Sequence, residues 1–152
     1  MGELDLYLFG EGRHEELWRV FGSHLKEYES VLGTTRGTSF SVWAPNARAV
    51  RVVGDFNHWN GKAHAMRSLG ASGVWELFIT DATEGQAYKY EIQYRDGSWH
   101  QKADPMARRT EKPPLTASVI TKARFKWDDG KWITKRETTN PLEGPISIYE
   151  VH

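Results

Sequence analysis

A chain of 152 residues is long enough for one domain of ordinary size with a buried core and some appendages. Its 20 Lys and Arg equal its 20 Asp and Glu, so no broad electrostatic field draws it towards nucleic acid or an anionic membrane. The absence of cysteine removes disulfides, thiolate nucleophiles and Cys-ligated zinc, no apolar run approaches the roughly 20 residues of a membrane span, and the N-terminus lacks a secretory pattern, so a cytoplasmic protein is the expectation.

Leu4 to Gly10 reads as a short extended arm ended by Gly10 and Gly12. From Arg13 to Glu27 the apolar residues Leu17, Val20, Phe21 and Leu25 recur at the helical period, which predicts one amphipathic helix with a packing role. Gly33 to Gly37 closes this N-terminal extension, expected over residues 1–36.

The stretch from Phe40 to Asn60 reads as strand, turn, strand. Phe40 and Val42 alternate with serines, Pro45 belongs in a turn because it lacks an N–H donor, and Val50, Val52 and Val53 resume the extended pattern. Turn-formers from Gly54 to Asn60 then set Phe56 and Trp59 in one loop, one ring expected in the core and the other free. After a loop over residues 61–73 comes a strand at Val74 to Ile79. Ala87 to Tyr94 follows with a clean period of two, Tyr88, Tyr90 and Ile92 on one face and Lys89, Glu91 and Gln93 on the other. Asp96-Gly97 predicts a tight hairpin handing over to a returning strand that begins near Trp99. A last strand at Ser118 to Thr121 completes an antiparallel sandwich of roughly 80 residues, expected over residues 37–121.

The C-terminal tail has a different character. Phe125, Trp127 and Trp132 flank an Asp-Asp-Gly turn in an irregular linker over residues 122–144. Beyond Pro145, Ile146 to Val151 reads as a buried strand of a parallel sheet whose neighbours lie outside this chain.

Catalysis by carboxylates requires a pair converging at about 5 to 9 Å in a cleft. Asp55, Glu76, Glu91, Asp96 and Asp104 show no spacing that predicts this, and each reads as a turn-former or solvated residue. His58 and His64 lack a third nearby ligand, so no metal is expected. No phosphate loop and no nucleophile elbow are present. The residues nominate no catalytic group and require no cofactor.

Aromatic recognition remains. The chain holds seven Trp, six Tyr and six Phe, most of them expected in the core. Trp59 follows the second strand of the Phe40 to Asn60 stretch, Trp99 follows the hairpin, and Lys89 is on the polar face of the strand leading to it. A sugar ring presents an apolar CH face that covers an indole while an ammonium donates to its hydroxyls, so these three residues form a candidate sugar platform. The competing reading makes both tryptophans half-buried packing residues.

The blocks FSVWAPNARAVRVVGDFNHWNGKAHAM, GVWELFI, YKYEI, QKADPMA, TASVI and PISIYEVH, in this order, resemble the N-terminal region of bacterial glycogen branching enzymes, from DLYLFGEGRHEELW onward. The central part resembles the family 48 carbohydrate-binding module, also found in isoamylases and in the glycogen-binding subunit of an energy-sensing kinase. The resemblance implies an all-β, immunoglobulin-like β-sandwich with an N-terminal helical extension and an irregular C-terminal tail. It implies that residues 145–152 begin a catalytic (β/α)₈ barrel whose nucleophile and acid/base lie beyond them. It further implies a glucan site at Trp59 in the Gly54–Trp59 loop, Lys89 in Tyr88-Lys89-Tyr90, and Trp99 after Asp96-Gly97. Asn60 and Ala65 stand where many branching enzymes carry Asp and Pro, and neither falls on that stacking face. The implied partners are α-1,4-glucan, as glycogen or maltooligosaccharides, and the barrel in cis. The function implied is glucan binding and docking in an enzyme that forms α-1,6 branches; the alternative is a purely structural module that covers the barrel.

Overall fold

The computed structural model describes every residue except Leu32 and His152. The chain divides into two compact units, residues 1–122 and 123–152. In the first, eight strands form two antiparallel sheets. Sheet A has the order β1 (Gly22–Ser30), β2 (Gly33–Trp43), β5 (Val74–Ile79), β4 (Arg67–Ser68). Sheet B has β3 (Ala49–Gly54), β6 (Ala87–Gln93) and β7 (Trp99–Lys102), with the short β8 (Ser118–Val119) also paired to β6. This is the immunoglobulin-like sandwich, with its core between the inner faces of the two sheets.

The strand patterns explain that core. Phe40 and Val42 of β2, Val50 and Val52 of β3, and Tyr88 and Tyr90 of β6 alternate inward, joined by Met66, Ile79, Ala82 and Ile120. Pro45 occupies the β2–β3 turn and Gly97 turns the β6–β7 hairpin at φ +88°. Phe56 packs against the core, whereas Trp59 stays 37% exposed. The open edge of β3 is shielded by residues 64–66, which exchange backbone hydrogen bonds with Val52 and Val50.

Among the described residues the buried side-chain polar groups are paired, except the Ser41 hydroxyl, which has no hydrogen-bond partner. Asp104 accepts hydrogen bonds from the Tyr88 hydroxyl at 2.5 Å, the Tyr90 hydroxyl at 3.3 Å and the Met106 amide at 2.8 Å. Removal from water pushes its carboxyl above the ordinary aspartate range, and these three donors only partly oppose the shift. Burial and the adjacent carboxylate hold both tyrosine hydroxyls protonated.

The helix expected from Arg13 to Glu27 is not formed. Gly22 adopts φ +93°, and from there to Ser30 the chain is β1, paired residue by residue with β2. Leu25 packs on the core from this strand and Tyr28 meets Phe78 edge-on at 5.2 Å. The helical element lies earlier: Leu4 to Gly10, expected to be extended, falls in α1 (Glu3–Gly10), where Asp5 Oδ2 accepts from the Gly2 amide at 3.2 Å. Eight residues make a marginal helix alone. Packing supports it, since Phe9 sets its ring edge-on against Phe21 at 5.1 Å and Trp43 at 6.0 Å.

The aromatics are also distributed otherwise than expected. The buried rings are Phe21, Phe40, Tyr88 and Tyr90, and none of the seven tryptophans is buried. An indole N–H needs a partner, and the sandwich interior supplies few. Trp43 donates to the Ser72 carbonyl at 3.2 Å, Trp75 to the Ala44 carbonyl at 3.1 Å and Trp59 to Asp55 at 3.1 Å, which holds these rings near the periphery.

The second unit contains α2 (Gly130–Thr138) and a short turn of helix at Pro141–Glu143. Phe125 and Trp127 meet edge-on at 4.8 Å, and the Arg136 guanidinium sits 5.0 Å from the Trp132 ring. Ile146, Ile148, Tyr149 and Val151 are exposed and form no strand; His152, the last residue of the expected barrel start over residues 145–152, lies outside the described residues.

Candidate functional site

Of the two outer sheet faces, that of sheet B carries the candidate residues. Alternation in β3 and β6 turns Arg51, Val53, Lys89, Glu91 and Gln93 outward. The register sets Val53 opposite Lys89, Arg51 opposite Glu91, and Gln93 opposite Trp99. Lys89 and the Trp99 row are thus four residues apart on β6, about 13 Å at the strand rise.

Trp59 reaches this face through a tightly specified loop. Asn57 accepts from the Gly54 amide at 2.9 Å and donates to the Val52 carbonyl at 2.9 Å. His58 and Trp59 both take left-handed backbone conformations, at φ 51° and 60°. Asp55 then locks the ring in place: Oδ1 accepts from the indole of Trp59 at 3.1 Å, and Oδ2 accepts from the Ala87 amide at 2.7 Å. Two residues on, Gly61 lies over β3 so closely that an added Cβ would stand 2.9 Å from Arg51 Cβ and 3.0 Å from Val53 Cγ1. The loop therefore folds across the outer face and tethers Trp59 beside the start of β6.

At the other end, Arg51 stacks its guanidinium on the Trp99 ring at 3.9 Å and reaches Glu91 at 3.6 Å. Lys89 donates to Thr116 Oγ1 at 2.8 Å. Lys89 and Trp99 thus share one outer face, and Trp59 is tied through Asp55 to Ala87 at the start of β6, the end of that strand away from Trp99. Arg51, Asp55 and Thr116, which orient them, were not nominated from sequence. Alternation in AVRVVG places Arg51 outward, and the spacing of Asp55 and Trp59 is compatible with their bond, but the stacking of Arg51 on Trp99 is set by the three-strand order.

The face is chemically balanced. Arg51 and Lys89 are offset by Asp55 and Glu91, so it suits a neutral polar ligand better than an ion. His64 Nδ1 is engaged with the Asn57 amide at 2.8 Å. Among the described residues, no three His, Cys, Asp or Glu side chains come together as a metal site, and no helix is long and apolar enough to cross a membrane.

Comparison with known proteins agrees with this architecture. The family described as carbohydrate-binding module 48 (isoamylase N-terminal domain) matches residues 20–107. Over the whole chain the sequence is 58% identical to the 1,4-alpha-glucan branching enzyme GlgB of Thermobifida fusca and 51% identical to that of Corynebacterium glutamicum. The chain spans 20% and 21% of the length of these two relatives. Ligand-free PulA from Klebsiella pneumoniae shares the fold with a TM-score of 0.50 and 25% identity over 66% of this chain and 9% of that one.

Proposed function

This chain belongs to the carbohydrate-binding module 48 family, and from that premise we propose that the outer face of its sheet B binds α-1,4-glucan. The observation that carries the reading is that Lys89 and Trp99 share the outward side of sheet B while Trp59 is tied through Asp55 to the start of β6, each side chain tethered by a neighbour. Indoles present flat apolar area at little entropic cost, and Lys89, Arg51 and Glu91 offer donors and acceptors for hydroxyls. A row of about 13 Å from Lys89 to Trp99 favours an extended oligosaccharide over a single sugar ring. The identity to branching enzymes supports placing the module in a cytoplasmic enzyme that forms α-1,6 branches, with a catalytic barrel in cis. There it holds polymer near the chemistry and docks against the barrel. A weak grip suffices, because tethering raises the local concentration of chain ends.

One observation favours the purely structural alternative. Arg51 already covers one side of Trp99, and Lys89 already donates to Thr116. Affinity electrophoresis of the chain in glycogen, with dextran as a control lacking α-1,4 chains, separates the two. Glycogen alone is expected to retard the native protein, and Trp59→Ala or Trp99→Ala to weaken binding about tenfold, ~1.4 kcal/mol. Unchanged mobility of the folded native protein in glycogen would refute the glucan site and leave the structural role.

A further inference from the structure

At the end of the sandwich where β2 turns into β3 and β6 into β7, the chain leaves a pocket of about 620 Å³. That lies inside the range of about 300 to 1,000 Å³ typical of small-molecule sites. Trp43, Tyr94 and Ile92 supply apolar wall, and the exposed side chains of Asn46, Arg95 and Asp96 supply the polar groups.

Both rings are fixed and still accessible. Trp43 is held by its indole bond to Ser72 and by the edge contact with Phe9, yet is 56% exposed. Tyr94 stacks on His100 with centroids 4.3 Å apart, yet is 39% exposed. The polar groups are likewise braced. Arg95 donates to Asn46 Oδ1 at 3.3 Å, and Arg48 donates to the Arg95 carbonyl at 3.2 Å. Asp96 Oδ1 accepts from the amide and hydroxyl of Ser98. This leaves Asp96 Oδ2 and the amide N–H groups of Asn46 without a partner among the described residues.

The chemistry selects a ligand class. A predominantly apolar wall with two aromatic rings requires a ligand with a flat apolar face. The neighbouring carboxylate and guanidinium disfavour a ligand of either charge, while a planar carboxylate, amide and guanidinium match adjacent hydroxyls in pairs. A pyranose ring has both properties. We infer that this pocket is a second carbohydrate site, taking a few glucosyl units of a maltooligosaccharide by stacking on Trp43 and Tyr94 and by hydroxyl bonds to Asn46, Arg95 and Asp96. The site stands whether or not the sheet-face platform binds. Because one hairpin carries both Tyr94 and Trp99, two weak grips on a single module would favour branched polymer over a short oligosaccharide.

Titration of the whole chain with maltoheptaose, followed by amide and indole N–H resonances, tests it. Saturable shifts are expected at the Trp43 indole and the Tyr94 to Gly97 amides. They persist in a Trp59→Ala, Lys89→Ala variant and are lost in Arg95→Ala and in Tyr94→Ala. Arg95 is exposed, so its variant decides the matter if Tyr94→Ala unfolds. Shifts at the pocket with none at Trp59 would support this site while removing the platform. Shifts confined to Trp59 and Trp99, no saturation at Trp43, or an equal response to glycerol would overturn it.

Discussion

On the outer side of sheet A, Phe9 of α1 packs its ring against Phe21 and Trp43, and Tyr28 packs on Phe78. On the outer side of sheet B, Trp59 is held by a carboxylate and Trp99 by a guanidinium. Ring-on-ring contact removes apolar area from water and adds to folding stability. A single polar tether fixes the posture of a ring while leaving much of its area available. The contrast separates rings closed off by other rings, such as Phe21, from rings left open to a partner, and Trp43, in contact with Phe9 yet largely exposed, shares both characters.

The largest effect is expected where the covered side is cut into. Phe21→Ala removes a buried ring and is expected to lower unfolding free energy by about 3 to 5 kcal/mol, measured by urea denaturation. Glycogen retardation of the molecules that remain folded is expected to be unchanged; weakened binding there would mean that the two sides are not separable. A smaller effect is expected from Asp55→Ala, which cuts two hydrogen bonds at the partly open side. A stability loss of about 1 to 2 kcal/mol is expected. Glycogen affinity is expected to fall as far as in Trp59→Ala; retained affinity would show that the tether does not matter for binding.

The smallest effect concerns the core shared by the two sheets. Asp104 has its folded pKa raised by burial, so between the ordinary aspartate value and the folded value the native state holds more protons than the unfolded chain. Its contribution is therefore fully present below the ordinary value and is lost as pH rises through the folded value. Stability of the native protein relative to Asp104→Asn is expected to fall over that window, read as the gap between their urea midpoints. A gap that widens in favour of the native protein with rising pH would contradict the buried, proton-retaining carboxyl.

The residues that could be read from sequence were those whose roles depend on near neighbours. Strict alternation in YKYEI set Tyr88 and Tyr90 inward and Lys89 outward, Pro45 and Asp96-Gly97 marked the turns, and the cluster from Gly54 to Asn60 set one ring of Phe56 and Trp59 in the core and one free, without assigning which. The N-terminal segment misled because Leu17, Val20, Phe21 and Leu25 fit a helical period locally, while β1 is stabilised by pairing with β2, whose attraction is not visible in β1 itself. Arg51 was missed for a similar reason. Its partner Trp99 is 48 positions away and two strands across, so only the order β3, β6, β7 brings them together.

The incomplete burial of every tryptophan, Trp75 on the core included, has a practical corollary for spectroscopy. Indole emission shifts with the polarity around the ring, and in this chain none of the seven rings is sequestered in the folded state. Loss of tertiary structure therefore changes their surroundings less than it would for a buried indole, whereas a molecule settling on Trp43, Trp59 or Trp99 changes them directly. Intrinsic fluorescence of this chain is a more sensitive gauge of what touches its surface than of whether it is folded.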